Sequence, residues 1–178
     1  MKRLFLLRHA KAEQARKDTP EDRERPLTDR GRKDAPQVGR YMRTKGYVPD
    51  IILCSPSTRT CETLKLADPA SGAHASVEFP ERLYLATARQ IMDLLRKLPE
   101  DIRRPLVVGH NPGMEECAAS LIAESSDPGL RGRFDSLKEK FPTAALAVLD
   151  FTFSNWKDLE SGSGKLIDFV RPKDLAAP

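Results

Sequence analysis

The sequence predicts an α/β protein, a three-layer αβα sandwich around a mostly parallel sheet. Three observations carry that expectation. Short apolar runs alternate with helical stretches along the chain, the pattern of an α/β protein and not of separate blocks of strands and helices. A cap residue followed by proline stands after two of those runs, at Ser55-Pro56 and Asn111-Pro112, as at the start of a helix. The chain has 178 residues, 39% of them hydrophobic and 31% charged, with a mean hydropathy of −0.50, which suits one globular domain over 1–178 with a real core.

The first strand is read over Arg3–Leu7, followed by a charged loop from Lys11 to Arg25. The turn Arg25-Pro26-Leu27-Thr28 leads into a helix ending near Gly46, with Asp34 as cap, Pro36 in the first turn, and Ala35, Val38, Tyr41 and Met42 on one face. A second strand over Ile51–Cys54 feeds a helix opened by Ser55-Pro56 and running to about Ala67. Residues 68–76 form a Pro/Gly/Ser-rich loop, and a short strand lies near Val77–Phe79. Thr87-Ala88-Arg89-Gln90 is a capping box in front of the stripe Ile91, Leu94, Leu95 and Leu98. A strand at Leu106–Val108 feeds a helix from Asn111-Pro112 to about Glu124. Residues 125–140 are read as a mobile surface insertion, and strands near Ala145–Phe153 and Lys165–Arg171 as a hairpin.

Composition narrows the function classes. The 30 basic residues are interleaved with 26 acidic ones, for a net charge of +4, so no nucleic-acid partner is expected. No apolar run approaches the roughly 20 residues of a membrane span. The N-terminal run breaks at Arg8, so neither a membrane nor a signal peptide is expected and the cytoplasm is the expected compartment. Cys54, Cys61 and Cys117 have no metal-type spacing and read as reduced structural thiols. His9, His74 and His110 lack helical ligand spacing, and no Walker-type glycine loop is present.

In open α/β sheets ligands bind beyond the carboxyl ends of strands. Three such ends carry chemistry here: Arg8 and His9 after the first strand, Ser55 and Arg59 after the second, His110 and Asn111 after the fourth. If those strands are parallel neighbours, two guanidinium groups and two imidazoles converge. Guanidinium forks bind phosphate oxygens bidentately, and a neutral imidazole attacks phosphorus, so the set reads as a pocket for a tetrahedral dianion. Glycines around His110 would let backbone approach the ligand, and the following helix N-terminus would offer N–H groups to it. Arg25 is a fifth candidate for the same pocket.

Leu7-Arg8-His9-Ala10 resembles the Arg-His-Gly signature of the histidine phosphatase superfamily. Ser55-Pro56-Ser57-Thr58-Arg59-Thr60-Cys61-Glu62-Thr63 is similar to its second motif, and Gly109-His110-Asn111-Pro112-Gly113 to its third. Arg25-Pro26-Leu27-Thr28 with Gly31 and the short chain are most similar to SixA-type phosphohistidine phosphatases. The resemblance implies a phosphoglycerate-mutase-like fold and a metal-independent phosphatase without cofactor. It also implies a transient phosphohistidine on His9, with Arg8 and Arg59 on the phosphoryl oxygens, His110 stabilising the transferring group and Arg25 nearby. The partner it implies is a histidine-phosphorylated protein of a phosphorelay or phosphotransfer system.

Two departures from the family pattern stand out. Ala10 replaces the usual glycine, and Leu85 stands where relatives acting on phosphate esters carry a glutamate acid, with Glu81 nearby but out of register. An alkoxide leaving group needs a proton in flight, whereas an imidazole leaves more readily, so the missing acid favours P–N over P–O cleavage. A small-molecule phosphomonoesterase and a non-catalytic phosphate-binding module are the alternatives.

Overall fold

A computed structural model describes residues 1–15, 21–68, 75–123 and 128–175. Six strands form one sheet in the order β3-β2-β4-β1-β5-β6: β1 Lys2–Arg8, β2 Ile51–Cys54, β3 Ser76–Glu78, β4 Pro105–Gly109, β5 Leu146–Phe151 and β6 Gly164–Val170. The four strands from β3 to β1 run parallel, and β5 and β6 add an antiparallel edge. The period of two along each strand divides the core. Leu4, Leu6, Ile51, Leu53 and Val107 pack on one face, while Phe5, Leu7, Ile52, Cys54, Leu106 and Val108 pack on the other.

The first face is covered by α3 (Ala88–Leu95), α4 (Gly113–Leu121) and α5 (Pro128–Glu139), through residues such as Ile91, Cys117 and Leu137. The second is covered by α1 (Asp29–Thr44), α2 (Thr58–Ala67) and α6 (Pro172–Leu175), with Val38, Met42 and Leu64 inward. Helices on both faces of a mostly parallel sheet are the architecture expected from the sequence.

Several local expectations are corrected. Helix α1 opens at Asp29 with the Thr28 hydroxyl accepting from the Gly31 amide, so Asp34 is not its cap and Pro36 lies inside the helix. There the proline forfeits the bond to the Arg32 carbonyl. The early start has a cause in the fold: the loop after β1 docks on this turn, and a Cβ on Gly31 would lie 2.2 Å from the Lys11 carbonyl oxygen. Helix α2 is capped by Ser57 in a capping box with Thr60, which leaves Ser55 and Pro56 outside the helix. Helix α4 begins at Gly113 without a side-chain cap, after a cis Asn111–Pro112 peptide.

The capping box of Thr87 and Gln90 at α3 is present as expected. The segment expected to be a mobile insertion forms α5. Leu137 and Phe141 are fully buried, and Arg133 bonds the Ile167 carbonyl and Asp168 of β6. The β5–β6 pair is antiparallel, but its connection is no tight turn: it carries Trp156, fully buried, with its indole N–H on the Ile102 carbonyl. Most of the loop read at 68–76, including His74, lies outside the described residues.

Candidate active site

The carboxyl ends of β1, β2 and β4 lie side by side because β4 pairs in parallel with both of the others, Arg8 opposite Gly109 and Cys54 opposite Val108. Two amide bonds extend the ladder past the strand ends, from His9 N–H to the Gly109 carbonyl and from Ser55 N–H to the Val108 carbonyl. His9, Ser55 and His110 are thereby fixed at one edge. The rings of His9 and His110 are 5.4 Å apart, centroid to centroid. They line a cleft of about 330 Å³ together with Arg8, Arg25, Arg59 and Asp22. A larger open groove of about 610 Å³ at the opposite end of the sheet, around Lys2, Glu100 and Arg103, has no imidazole among the described residues that line it.

The Nδ1 of His9 lies 2.7 Å from the Ala10 carbonyl oxygen. A carbonyl only accepts, so this nitrogen carries the proton and Nε2 keeps a free lone pair. Burial, reinforced by the charges of Arg59, Arg8 and Arg25 against the opposing Ala10 bond, lowers the His9 pKa to about 4. The ring is therefore neutral at physiological pH. The Ala10 amide donates to the Thr63 hydroxyl, which itself donates to the Arg59 carbonyl, tying the strand end to the helix that carries the second arginine. Alanine fits where the family has glycine: its methyl is buried in the core behind the sheet.

His110 is also held neutral, its pKa lowered to about 3 by burial and then by the charges of Arg59 and His9. Its Nε2 is 2.6 Å from the Ser55 hydroxyl, the Tyr84 ring meets it edge-on at 5.7 Å, and its Nδ1 is buried without a partner among the described residues.

The two arginines are poised differently. Arg8 donates one Nη to the Phe141 carbonyl, has a buried Nε without a partner, and forms no ion pair among the described residues. Burial pulls its pKa down, a sign that the cation lacks compensation. Arg59, 1% exposed, donates both Nη groups to Asp22, one to its carbonyl and one to its carboxylate at 3.1 Å, and its Nε is likewise buried and unpaired.

Asp22 belongs to a 3₁₀ turn at Asp22–Glu24 and also accepts from Arg25 and from the Tyr84 hydroxyl. The Tyr84 bond, with the two arginines behind it, lowers its pKa to about 2. The strap carrying this turn is tied down by the Ala12–Leu27 bridge and by the Glu13 amide on the Pro26 carbonyl, which places Arg25 over the cleft.

All five residues expected at the site line this cleft. Three that shape it were missed or given no role: Asp22, hidden among interleaved charges, Tyr84, and Ser55. The spacing of Asp22 three residues before Arg25 is the one signal that pointed to it. Glu81 is bound by Arg23 through both oxygens and does not line the cleft, whereas Leu85 does, half exposed and with a left-handed φ of 50°.

The glycines beside His110 have another reason than ligand approach. A Cβ on Gly109 would meet the Met114 sulfur at 2.9 Å, and one on Gly113 would lie 1.8 Å from the Ala86 carbonyl oxygen. Gly113 lets α4 pack against the Ala86–Thr87 backbone and Gly109 leaves room for the Met114 side chain, while the first turn of α4 carries its own anions, Glu115 and Glu116. The thiols of Cys54 and Cys117 are buried; contact with Cys61 and then burial raise the Cys54 pKa, and burial raises that of Cys117.

Comparison with known proteins agrees with this geometry. The model of the histidine phosphatase superfamily (branch 1) matches residues 4–111. The Mycobacterium tuberculosis protein Rv1276c is 33% identical over 168 residues, 94% of this chain and all of that one. Among solved structures, a protein of Nakamurella multipartitia assigned as phosphohistidine phosphatase SixA superposes with a TM-score of 0.81 at 31% identity over 96% of each chain. One of Agrobacterium tumefaciens assigned likewise gives 0.78 at 29% identity, over 96% of this chain and 98% of that one. The chain belongs to the histidine phosphatase superfamily, branch 1, and is a phosphatase.

Proposed function

We propose that the protein is a phosphohistidine phosphatase that takes its phosphoryl group from a histidine displayed on another protein, by way of a covalent intermediate on His9. The observation that carries this reading is a neutral imidazole with its lone pair on Nε2, in a cleft it shares with the half-buried Arg8 and the buried Arg59, where the one lining carboxylate among the described residues is ionised.

In the first step the His9 Nε2 lone pair attacks phosphorus in line and the P–N bond to the substrate ring breaks. That ring departs as neutral imidazole when its distal nitrogen is protonated, which the ordinary imidazole pKa near 6.5 allows without an enzymic acid. Arg8, Arg59 and His110 meet the charge on the phosphoryl oxygens, with Arg25 at the rim. In the second step water attacks the phosphoryl group and His9 leaves. Because Nδ1–H stays on the Ala10 carbonyl, His9 also departs as a neutral ring, and the proton lost by water goes to phosphate or solvent.

The substrate class follows from what the cleft lacks. Asp22, at about 2, donates no proton at neutral pH, Glu81 is engaged elsewhere, and Leu85 stands at the rim. Among the described residues an alkoxide leaving group would find no acid here. The likeness to the two proteins assigned as SixA supports the same substrate class, and a protein of a phosphorelay or phosphotransfer system fits it.

The test pairs a histidine-phosphorylated carrier protein with an alkyl phosphate. Turnover of the first with little of the second is expected, together with acid-labile, base-stable label on His9 after a pulse. His9→Ala should abolish turnover. Preferential hydrolysis of the ester would identify a small-molecule phosphomonoesterase, and saturable binding without label a phosphate-binding module.

A further inference from the structure

Ser55 has no assigned part in this chemistry, yet it is fully buried and its hydroxyl has one partner among the described residues, the Nε2 of His110. Its backbone is clamped on both sides: the amide donates to the Val108 carbonyl of β4, and the carbonyl accepts from the Thr60 hydroxyl of α2. The backbone that carries the hydroxyl is therefore fixed beside the ring, and the Tyr84 ring packs against the imidazole at 5.7 Å.

A neutral imidazole has one N–H, and the partner of one nitrogen decides what the other offers. Two arrangements fit the 2.6 Å contact. If Nε2–H donates to Ser55, the serine proton is left without an acceptor in a buried site, and Nδ1 presents a lone pair where an anion must bind. If Ser55 donates to Nε2, the serine proton is satisfied and Nδ1 carries a hydrogen. With an anion in the cleft, only the second leaves no buried donor wasted, because it turns the unpartnered Nδ1 of a cleft-lining residue into a donor to that anion.

We infer that Ser55 is a positioning residue that fixes His110 as the Nδ1–H tautomer, so that this nitrogen donates a hydrogen bond to the transferring phosphoryl group. The inference rests on the proposed role of His110 and deepens it. The two imidazoles then share a protonation pattern for opposite purposes: His9 keeps Nδ1–H on a carbonyl to free Nε2 as a nucleophile, while His110 accepts at Nε2 to free Nδ1–H as a donor.

The test is a two-bond ¹H–¹⁵N spectrum of the histidine side chains of the full chain at pH 7, read without substrate. Wild type is expected to show pyrrole-type Nδ1 and pyridine-type Nε2 for His110, assigned by loss of the signals in His110→Gln. In Ser55→Ala the His110 signals should move to the Nε2–H form or to an average of the two, while His9 stays Nδ1–H. The same variant should lose about 10- to 100-fold in kcat on a histidine-phosphorylated protein with little change in KM, as expected for an interaction made in the transition state. A pyrrole-type Nε2 on His110 in the wild type, or an unchanged tautomer in Ser55→Ala, overturns the inference. The spectrum is independent of turnover, so a chain with the expected tautomer but no phosphohistidine activity would refute the proposed function and leave the positioning role standing.

Discussion

Mild acid should destabilise the protein through its two cleft imidazoles, before its carboxylates protonate. The folded chain holds His9 at about 4 and His110 at about 3, whereas a free imidazole titrates near 6.5. With both folded values depressed, the unfolded state takes up protons first as the pH falls. Stability is therefore fully present above 6.5 and is lost as the pH drops from there towards the folded values. Between pH 7 and pH 5 the difference in proton binding amounts to about 2 kcal/mol for each ring, or about 4 kcal/mol for the pair. That is a large part of a typical domain stability of about 5–15 kcal/mol. Free carboxylates titrate near 4 and Asp22 at about 2, so the window isolates the imidazoles. Urea denaturation at pH 7, 6 and 5 and constant ionic strength, on wild type, His9→Gln, His110→Gln and the double variant, measures the effect. Wild type should lose about 4 kcal/mol, each single variant about half of that, and the double variant little. A wild-type pH dependence no steeper than that of the double variant would refute the burial of both rings in one cationic cavity.

Other perturbations address the remaining parts of the site and its support. Arg59→Ala should lower kcat on the phosphoprotein by roughly 10²- to 10³-fold, as loss of a comparable charge-stabilising donor does; single-turnover kinetics would show whether the phosphorylation step carries the loss. Asp22→Asn removes a carboxylate that competes with a bound dianion for Arg59 and Arg25. With 43% of that side chain exposed the effect is screened to about 1 kcal/mol, so inhibition by orthophosphate should tighten roughly fivefold, measured as a competitive KI. Leu85→Glu places a carboxylic acid at the rim and should raise turnover of an alkyl phosphate relative to the phosphoprotein, measured as the ratio of the two kcat/KM values. Trp156→Ala empties a fully buried site far from the cleft and should cost about 3–5 kcal/mol in denaturation without altering KM.

Fold and site were legible to different degrees, for physical reasons. Strands such as Leu4-Phe5-Leu6-Leu7 and Leu106-Val107-Val108 are apolar throughout because helices cover both faces of the sheet, and that continuity can be read from sequence. Helix starts were less legible, because proline marked the wrong residue three times. Pro36 is tolerated inside α1, Pro56 precedes a turn that Ser57, not Ser55, caps, and Pro112 itself holds the cap position of α4, which opens at Gly113. Helix α5 was hidden because its buried contacts, Leu137 and the adjacent Phe141, are few against a charged background, and its anchor is Arg133 on β6. Local periodicity cannot show a docking made by one guanidinium on a distant carbonyl.

The site divides the same way. Arg8, His9, Arg59 and His110 follow strand ends, where the topology of a parallel sheet brings loops together, so position alone made them candidates. Asp22 follows no strand. It reaches the cleft because the strap between β1 and α1 is bridged onto itself at Ala12 and Leu27, a contact written in no local pattern. Yet Asp22 bears directly on the substrate class. A carboxyl at this place with a raised pKa would be a reservoir for the proton that an ester leaving group needs. Hydrogen-bonded by Tyr84 and set against two guanidinium groups, it is held ionised and becomes a ligand of the arginines instead. On the proposed reading the cleft activates phosphorus without supplying a proton, which suits leaving groups, such as the imidazolium nitrogen of phosphohistidine, that arrive with their proton already in place.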